Sequence, residues 1–339
     1  MRPEYTNLNW VKQDLTRTRK ALIILGCSFA AGKGAYDSEL VAEHRPRRLE
    51  HWGDCNYVEH DFSEKELNKL SKKYKLPIHD NYLWTADMEH ANSFGCIMAE
   101  KMLDSEWTPI MLACQGKGNW SNIDRLSWLP IRWESVKEIK VVWSITDLVR
   151  TDLFTKPATD FDWLQSSGNN YSTFWPFDVD SVTDFEREWG KKLAQEDHDP
   201  GLKHFFATNW IKNLSSVHNW CKAHKADFIM FDAFCQSYET TDLRMMFAEQ
   251  IDRNPEFGDF IKNLPWDKKI YPADERTFFN MCMAQETEYE YKLVDKHNMW
   301  EFVELPEEEI TCEWIMPCGH PSAQGHQMLA EILFKRMFN

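Results

Sequence analysis

"LIILGCSFAAGKG", Leu22 to Gly34, runs from an apolar stretch into a cluster of small residues holding one serine and one lysine. Two chemistries fit such a junction. A phosphate-cradling loop follows G-x-x-x-x-G-K-[ST]: glycines let backbone N–H groups surround the phosphate, lysine meets its charge and a hydroxyl meets magnesium. A strand that delivers a nucleophilic serine needs small residues for a different reason, to turn sharply and expose the hydroxyl. Counted back from Gly32-Lys33, the first glycine of a phosphate loop falls on Cys27, and its hydroxyl position is Gly34. Two of the four constraints fail, so the serine reading has to be pursued along the chain.

Further short apolar runs resemble the one at 21–25 ("ALIIL"). They are "PIMLA" at 109–113, "IKVVWS" at 139–144, "DFIMF" at 227–231 and "WEFVEL" at 300–305. Nearly continuous apolar runs of this length suit parallel strands covered on both faces. Segments with helical periodicity lie between them: "ANSFGCIMAEKML", "SNIDRLSWLPIRW", shortened or kinked by Pro130, and "FFATNWIKNLSSVHNWCKAHK". "SAQGHQMLAEILFKRMF" closes the chain, with Ser322 placed as its N-cap. The alternation predicts an α/β domain of three layers, α/β/α, around a five-stranded parallel sheet. The chain divides into an N-terminal arm, 1–20, and one domain, 21–339, with long insertions at about 35–88, 151–198 and 235–298. Ligands of such sheets bind beyond the carboxyl ends of the strands, so the loops there are where chemistry belongs.

Composition narrows the partners. The 339 residues carry a formal net charge of -15, which argues against a nucleic-acid backbone as ligand. The short basic cluster "HRPRRLEHW", 44–52, reads as a solvated loop. Nine cysteines without CxxC spacing fit synthesis in a reducing compartment, and "MRPEYTNLNWVKQDLTRTRK" has no apolar core of a secretory leader. No apolar run is long enough for a membrane span, so a membrane partner is not expected. Sixteen tryptophans are many; packing accounts for most, with a few free to stack on a ligand. His44, His51, His60, His79, Asp54, Cys55 and Asp61 share one insertion without metal-site spacing, so no metal is expected.

Four blocks bear on the serine. "GCSFAAG" lacks the second glycine of the G-x-S-x-G elbow, since Ala30 stands there. It resembles instead the first block of the SGNH, or GDSL-like, hydrolases, G-[DN]-S-[LF]-x-x-G, with Cys27 at the acidic or amide position. "ACQGKGNWSN", Ala113 to Asn122, resembles the second block, and "SITD", Ser144 to Asp147, aligns with the third, G-x-N-D. "GHPSAQGH", Gly319 to His326, resembles the histidine block that opens the last helix. The blocks stand in family order and frame the chain from Ala21 onward; "SITDLVR" is similar to divergent members encoded by tailed bacteriophages.

The resemblance implies a flavodoxin-like sheet and ester hydrolysis, possible substrates being lipid esters, thioesters and acetylated sugars. Ser28 is then the nucleophile and His320 its base. Ser28 and Gly116 would offer backbone N–H groups to the oxyanion, helped by Thr146 or Asn119. By its place alone, just beyond the third strand, Arg150 would meet a substrate carboxylate or the oxyanion side of the pocket, or else pair with Asp147 or Asp152. No cofactor is implied. A chain of this kind would be made in the cytoplasm and act in a host cell or a virion if phage-encoded; the oligomeric state stays open.

Two departures matter. Thr146 replaces the asparagine that donates to the oxyanion, and loss of such a donor costs roughly a hundredfold to a thousandfold in turnover. The aspartate expected two or three residues before the histidine is replaced by Cys318 and Pro317, leaving a Ser–His dyad or an acid from elsewhere, with Glu313 nearest. A catalytically silent binding or structural protein on the same fold, and a nucleotide-binding protein using Lys33, remain the alternatives.

Overall fold

The computed structural model describes residues 18–35, 63–74, 78–79, 82–83, 89, 91–104, 106–113, 118–127, 129, 133–148, 151–154, 171–174, 200–272, 277–286, 313–315 and 320–338. At its centre lie four parallel strands, β1 (Lys20–Leu25), β4 (Trp107–Met111), β5 (Glu138–Ile145) and β8 (Asp227–Asp232), in the order β4-β1-β5-β8. Two short antiparallel hairpins stand apart from this sheet: β2 (Ile78–His79) with β3 (Tyr82–Leu83), and β6 (Thr151–Phe154) with β7 (Tyr171–Phe174). The segment expected as a fifth strand, 300–305, lies outside the described residues. Among the described residues, no helix is long and apolar enough to cross a membrane.

Four of the expected strands are present, with small shifts at their ends. The second begins at Trp107, two residues before Pro109, and takes the proline into an edge position of the described sheet. Proline is tolerated there because an edge strand need not donate on both sides. The first begins at Lys20, inside the expected arm, where it pairs with both Trp107 and Glu138.

Alternate side chains of the strands feed two apolar cores. Ile23, Leu25, Val141, Trp143 and Met230 face one; Leu22, Ile24, Val142, Ile229 and Phe231 face the other. Helices cover both. On the first face lie α4 (Asn119–Ser127), α5 (Pro200–Ala223), α6 (Thr240–Met246), α7 (Ala248–Arg253) and α8 (Pro255–Lys262). On the second lie the one-turn α1 (Ser28–Ala31), α3 (Phe94–Ile97), α9 (Phe278–Glu286) and α10 (Ala323–Phe338). A further helix, α2 (Glu64–Tyr74), lies in the first insertion. Sheet and helices are thus compatible with three α/β/α layers. Trp143 and Trp210 are fully buried with ring centroids 5.4 Å apart, whereas Trp120, on α4, is 41% exposed.

The third insertion, read from sequence only as a long polar stretch, is largely helical where described. Its helices are short, so their periodicity is weak; Leu243, Phe247 and Ile261 nevertheless bury against the sheet. The last helix is fixed at both ends. Ser322 Oγ accepts the Gly325 N–H at 3.3 Å, the N-cap expected from sequence. At the far end the buried Lys140 Nζ, rising from β5, donates to the Met337 carbonyl at 2.8 Å and lies 3.4 Å from Asp227 Oδ2.

Lys140→Met keeps the aliphatic stem but strands the buried Met337 carbonyl. It is expected to lower unfolding stability by about 1–3 kcal/mol, read from urea midpoints.

Candidate functional site

Sharp chain reversal after β1 depends on Gly26. Its φ is +151°, and a Cβ there would stand 2.6 Å from Ala30 Cβ and 2.9 Å from Ser144 Cβ, so only glycine fits. Cys27 follows as the N-cap of α1, its carbonyl accepting the N–H groups of Ala30 and Ala31 at 3.1 and 2.9 Å. Ser28 is the first helical residue, where the helix itself makes no use of the backbone N–H. Gly32, at φ +89°, ends the turn. Cys27, at the position the resembled block gives to an acid or amide, is buried in the apolar core as a small hydrophobe.

His320 meets Ser28 from the other end of the chain. Its Nε2 stands 2.8 Å from Ser28 Oγ across a separation of 292 residues. The Phe29 ring lies alongside, 4.9 Å from the imidazole centroid. The turn carrying His320 is held by backbone bonds: Ile315 bridges Pro321, and Ser322 N–H donates to the Trp314 carbonyl at 2.9 Å. Ser322 Oγ also donates to the Glu313 carbonyl. A neutral ring with its proton on Nδ1 leaves Nε2 to accept from the serine, the state a general base needs before reaction. That pair can deprotonate and activate a hydroxyl nucleophile.

The ends of three strands are tied together by one face of α4. Asn119 Oδ1 accepts the Thr146 N–H and its Nδ2 donates to the Thr146 carbonyl, each at 3.1 Å. Asn122 Oδ1 accepts the Gly26 N–H at 3.3 Å, while its Nδ2 donates to the Gly118 carbonyl at 2.9 Å. Arg125 Nη1 donates to the Leu112 carbonyl at 2.6 Å. Spacing i, i+3, i+6 puts the three side chains along one helical stripe. Asn119 therefore grips the main chain of the threonine beside it, leaving one of its two amide hydrogens for any other task. Among the described residues, Ser144 Oγ and Thr146 Oγ1 are buried with no hydrogen-bond partner.

Ser28, His320, Thr146 and Asn119 are thus placed at the carboxyl end of the sheet. Gly116 and Arg150 lie outside the described residues, as do Cys318 and Pro317. The Glu313 side chain is exposed and accepts from Gln324 Nε2 at 3.1 Å. Among the described residues, no group of three His, Cys, Asp or Glu side chains is placed to hold a metal ion. Of the insertion's histidines and their neighbours, all but His79 lie outside those residues.

Sequence reading missed Asn122, Arg125 and Glu89. The first two carried a signal in their shared spacing with Asn119. Glu89 carried none: it is a buried helical acid, its Oε1 accepting the Gly34 N–H at 3.0 Å.

His326, on the first turn of α10, is wholly buried between the rings of Phe94 and Phe278, and its Nδ1 accepts the Phe94 N–H at 3.2 Å. Burial, and secondarily the charge of His320, pushes its pKa down to about 3. The folded chain then binds this proton less readily than the unfolded one, so its contribution to stability is complete above about pH 6.5 and declines as pH falls toward 3. Between pH 7 and pH 5 this residue alone is expected to remove about 2 kcal/mol. Paired urea titrations check it: His326→Asn should show a correspondingly flatter loss over that interval.

Comparison with known proteins gives no match: no family model fits the chain, and no curated sequence or solved structure is significantly similar to it.

Proposed function

We propose that the chain is a serine esterase of the SGNH type, with Ser28 as nucleophile and His320 as general base. One observation carries the reading: a hydroxyl at the end of the first strand and an imidazole nitrogen near the chain terminus stand 2.8 Å apart. Base and nucleophile in direct hydrogen-bond contact, beyond the carboxyl ends of parallel strands, is the arrangement this chemistry needs. The described strand order, second-first-third-fourth along the chain, is also that of the first four strands of a flavodoxin-like sheet. The switch point of such a sheet lies between β1 and β5, which deliver Ser28 and Thr146.

Catalysis would run as follows. Nε2 of His320 takes the Ser28 proton as Oγ attacks the ester carbonyl carbon. The oxyanion receives hydrogen bonds from the Ser28 N–H and the Thr146 hydroxyl, with Gly116 as a further donor from its loop. The intermediate collapses, the alkoxide leaves with the proton held by His320, and an acyl group remains on Ser28. Water, deprotonated by the same imidazole, then releases the acid. The unpartnered Thr146 hydroxyl supports its role as donor, because it has no competing bond to give up. Asn119 sets where that threonine sits. The half-exposed Trp120, next to Asn119, supports an acetylated carbohydrate as substrate.

The nucleotide-binding alternative loses support at Gly34. The N–H that a phosphate loop would aim at its ligand donates here to the Glu89 carboxylate, whose charge repels phosphate.

A fluorophosphonate probe tests the esterase reading. Mass spectrometry should place the adduct on Ser28, with none in Ser28→Ala and labelling slowed at least about a hundredfold in His320→Gln. An intact wild-type chain that takes no label overturns it. Thr146→Val is expected to lower p-nitrophenyl acetate kcat by about tenfold to a hundredfold with KM little changed, the mark of a donor used in the transition state.

A further inference from the structure

His320 has no carboxylate in the two residues where an orienting acid is expected, yet a buried acid lies close to its seat. Glu89 is 4% exposed, and a carboxylate held that far from water is costly unless something in the fold requires it. Its contacts form a short chain ending at His320. The Glu89 carbonyl lies 2.4 Å from where a Cβ on Gly32 would stand, so main chain packs on main chain. Its side-chain Oε1 accepts the Gly34 N–H at 3.0 Å. Gly34, at φ +87°, in turn abuts the histidine: a Cβ there would be 2.8 Å from His320 Cβ and 3.1 Å from the Pro321 carbonyl oxygen. Three residues on, Asn92 Nδ2 donates to the Ala35 carbonyl at 3.1 Å, and Phe94 N–H donates to His326 on the last helix at 3.2 Å. Glu89, Asn92 and Phe94 therefore grip the loop after Ser28 and the helix after His320 together.

We propose that Glu89 is the positioning acid of the Ser28–His320 pair. Through Gly34 it fixes the loop against which His320 is seated, and its buried negative charge favours the imidazolium that forms when Ser28 gives up its proton. This rests on the esterase reading and supplies the acid missing beside His320. Its link to the histidine runs through Gly34. Ser28 and the Phe29 ring from α1, Gly34 in the same loop and the charge-coupled His326 from α10 are placed around the imidazole. His326 is neutral at working pH, so it does not offset Glu89.

The test is a titration of His320 in the full chain, by NMR of carbon-labelled histidine rings, with the signal assigned from His320→Gln. A nearby negative charge raises a histidine pKa, so Glu89→Gln, which keeps the acceptor and removes the charge, should lower the midpoint by about half a unit or more. The acid limb of Ser28 phosphonylation should move down with it, and the plateau rate should fall several-fold. An unchanged midpoint in a folded Glu89→Gln chain overturns the proposal. Should that variant not fold, Glu89→Asp decides, since it keeps the charge on a shorter arm. Its midpoint should stay near wild type while the plateau rate falls, and a wild-type rate there counts against the proposal. Failure of wild type to label at all would sink the esterase reading while leaving the titration readable, so the two failures are distinct.

Discussion

The contact between Ser28 Oγ and His320 Nε2 spans 292 residues, and no local interaction can produce it. Closing a loop of that size must be compensated by contacts elsewhere, and the fold supplies them in two places. The buried parallel sheet fixes the end of β1, hence the turn that begins at Gly26. The last helix is held against one face of that sheet by Leu329, Leu333 and Met337, all buried. Its position along the face is then set by polar contacts at its ends: Lys140 on the Met337 carbonyl, Ser322 on the first turn and His326 on Phe94. Apolar burial brings the helix to the sheet; these directional bonds stop it sliding. A displacement of one helical turn, about 5.4 Å, would separate the imidazole from the hydroxyl entirely.

Beyond the carboxyl ends of parallel strands the ladder stops, and main-chain groups there need other partners or water. Here α4 supplies many of them from a single stripe. Asn119, Asn122 and Arg125 bond to Thr146, Gly26 and Leu112, the residues just past three neighbouring strands. The helix thereby holds the three loops in fixed relation without filling the crevice with hydrophobic side chains. What it leaves unbonded is informative. Among the described residues, Ser144 and Thr146 keep buried hydroxyls without partners, each a cost of about 1–3 kcal/mol, and the oxyanion role proposed for Thr146 would be a reason to retain its own.

Four strands were legible because each is a short, nearly unbroken apolar run flanked by helical periodicity, a pattern that survives errors of two residues at its ends. The Ser28–His320 pairing was legible because both residues sit in short motifs with fixed neighbours. The helices of the third insertion were not, since segments of six to nine residues hold little more than two turns and their buried positions, such as Leu243 and Ile261, are too few to show a period. Glu89 was the least legible of all. Its chemistry passes through the backbone N–H of a glycine, so neither partner's side chain marks the relation, and 55 residues separate them. Asn122 and Arg125 lie between these extremes, visible as polar residues at helical spacing but meaningful only once the strands they bind are placed.

The small-residue cluster that follows β1 shows how one composition serves opposite electrostatic ends. In a phosphate loop, glycines let successive N–H groups converge on an anion supplied by the ligand. Here the two later glycines do something else. Gly32 admits the Glu89 main chain, and Gly34 admits the His320 turn while its N–H is satisfied by an anion the protein itself supplies. Under the proposed mechanism, that built-in negative charge would suit the imidazolium of His320. The same few residues thus weaken the nucleotide-binding reading by the placement of a single carboxylate and favour the proposed serine chemistry by the placement of a single hydroxyl.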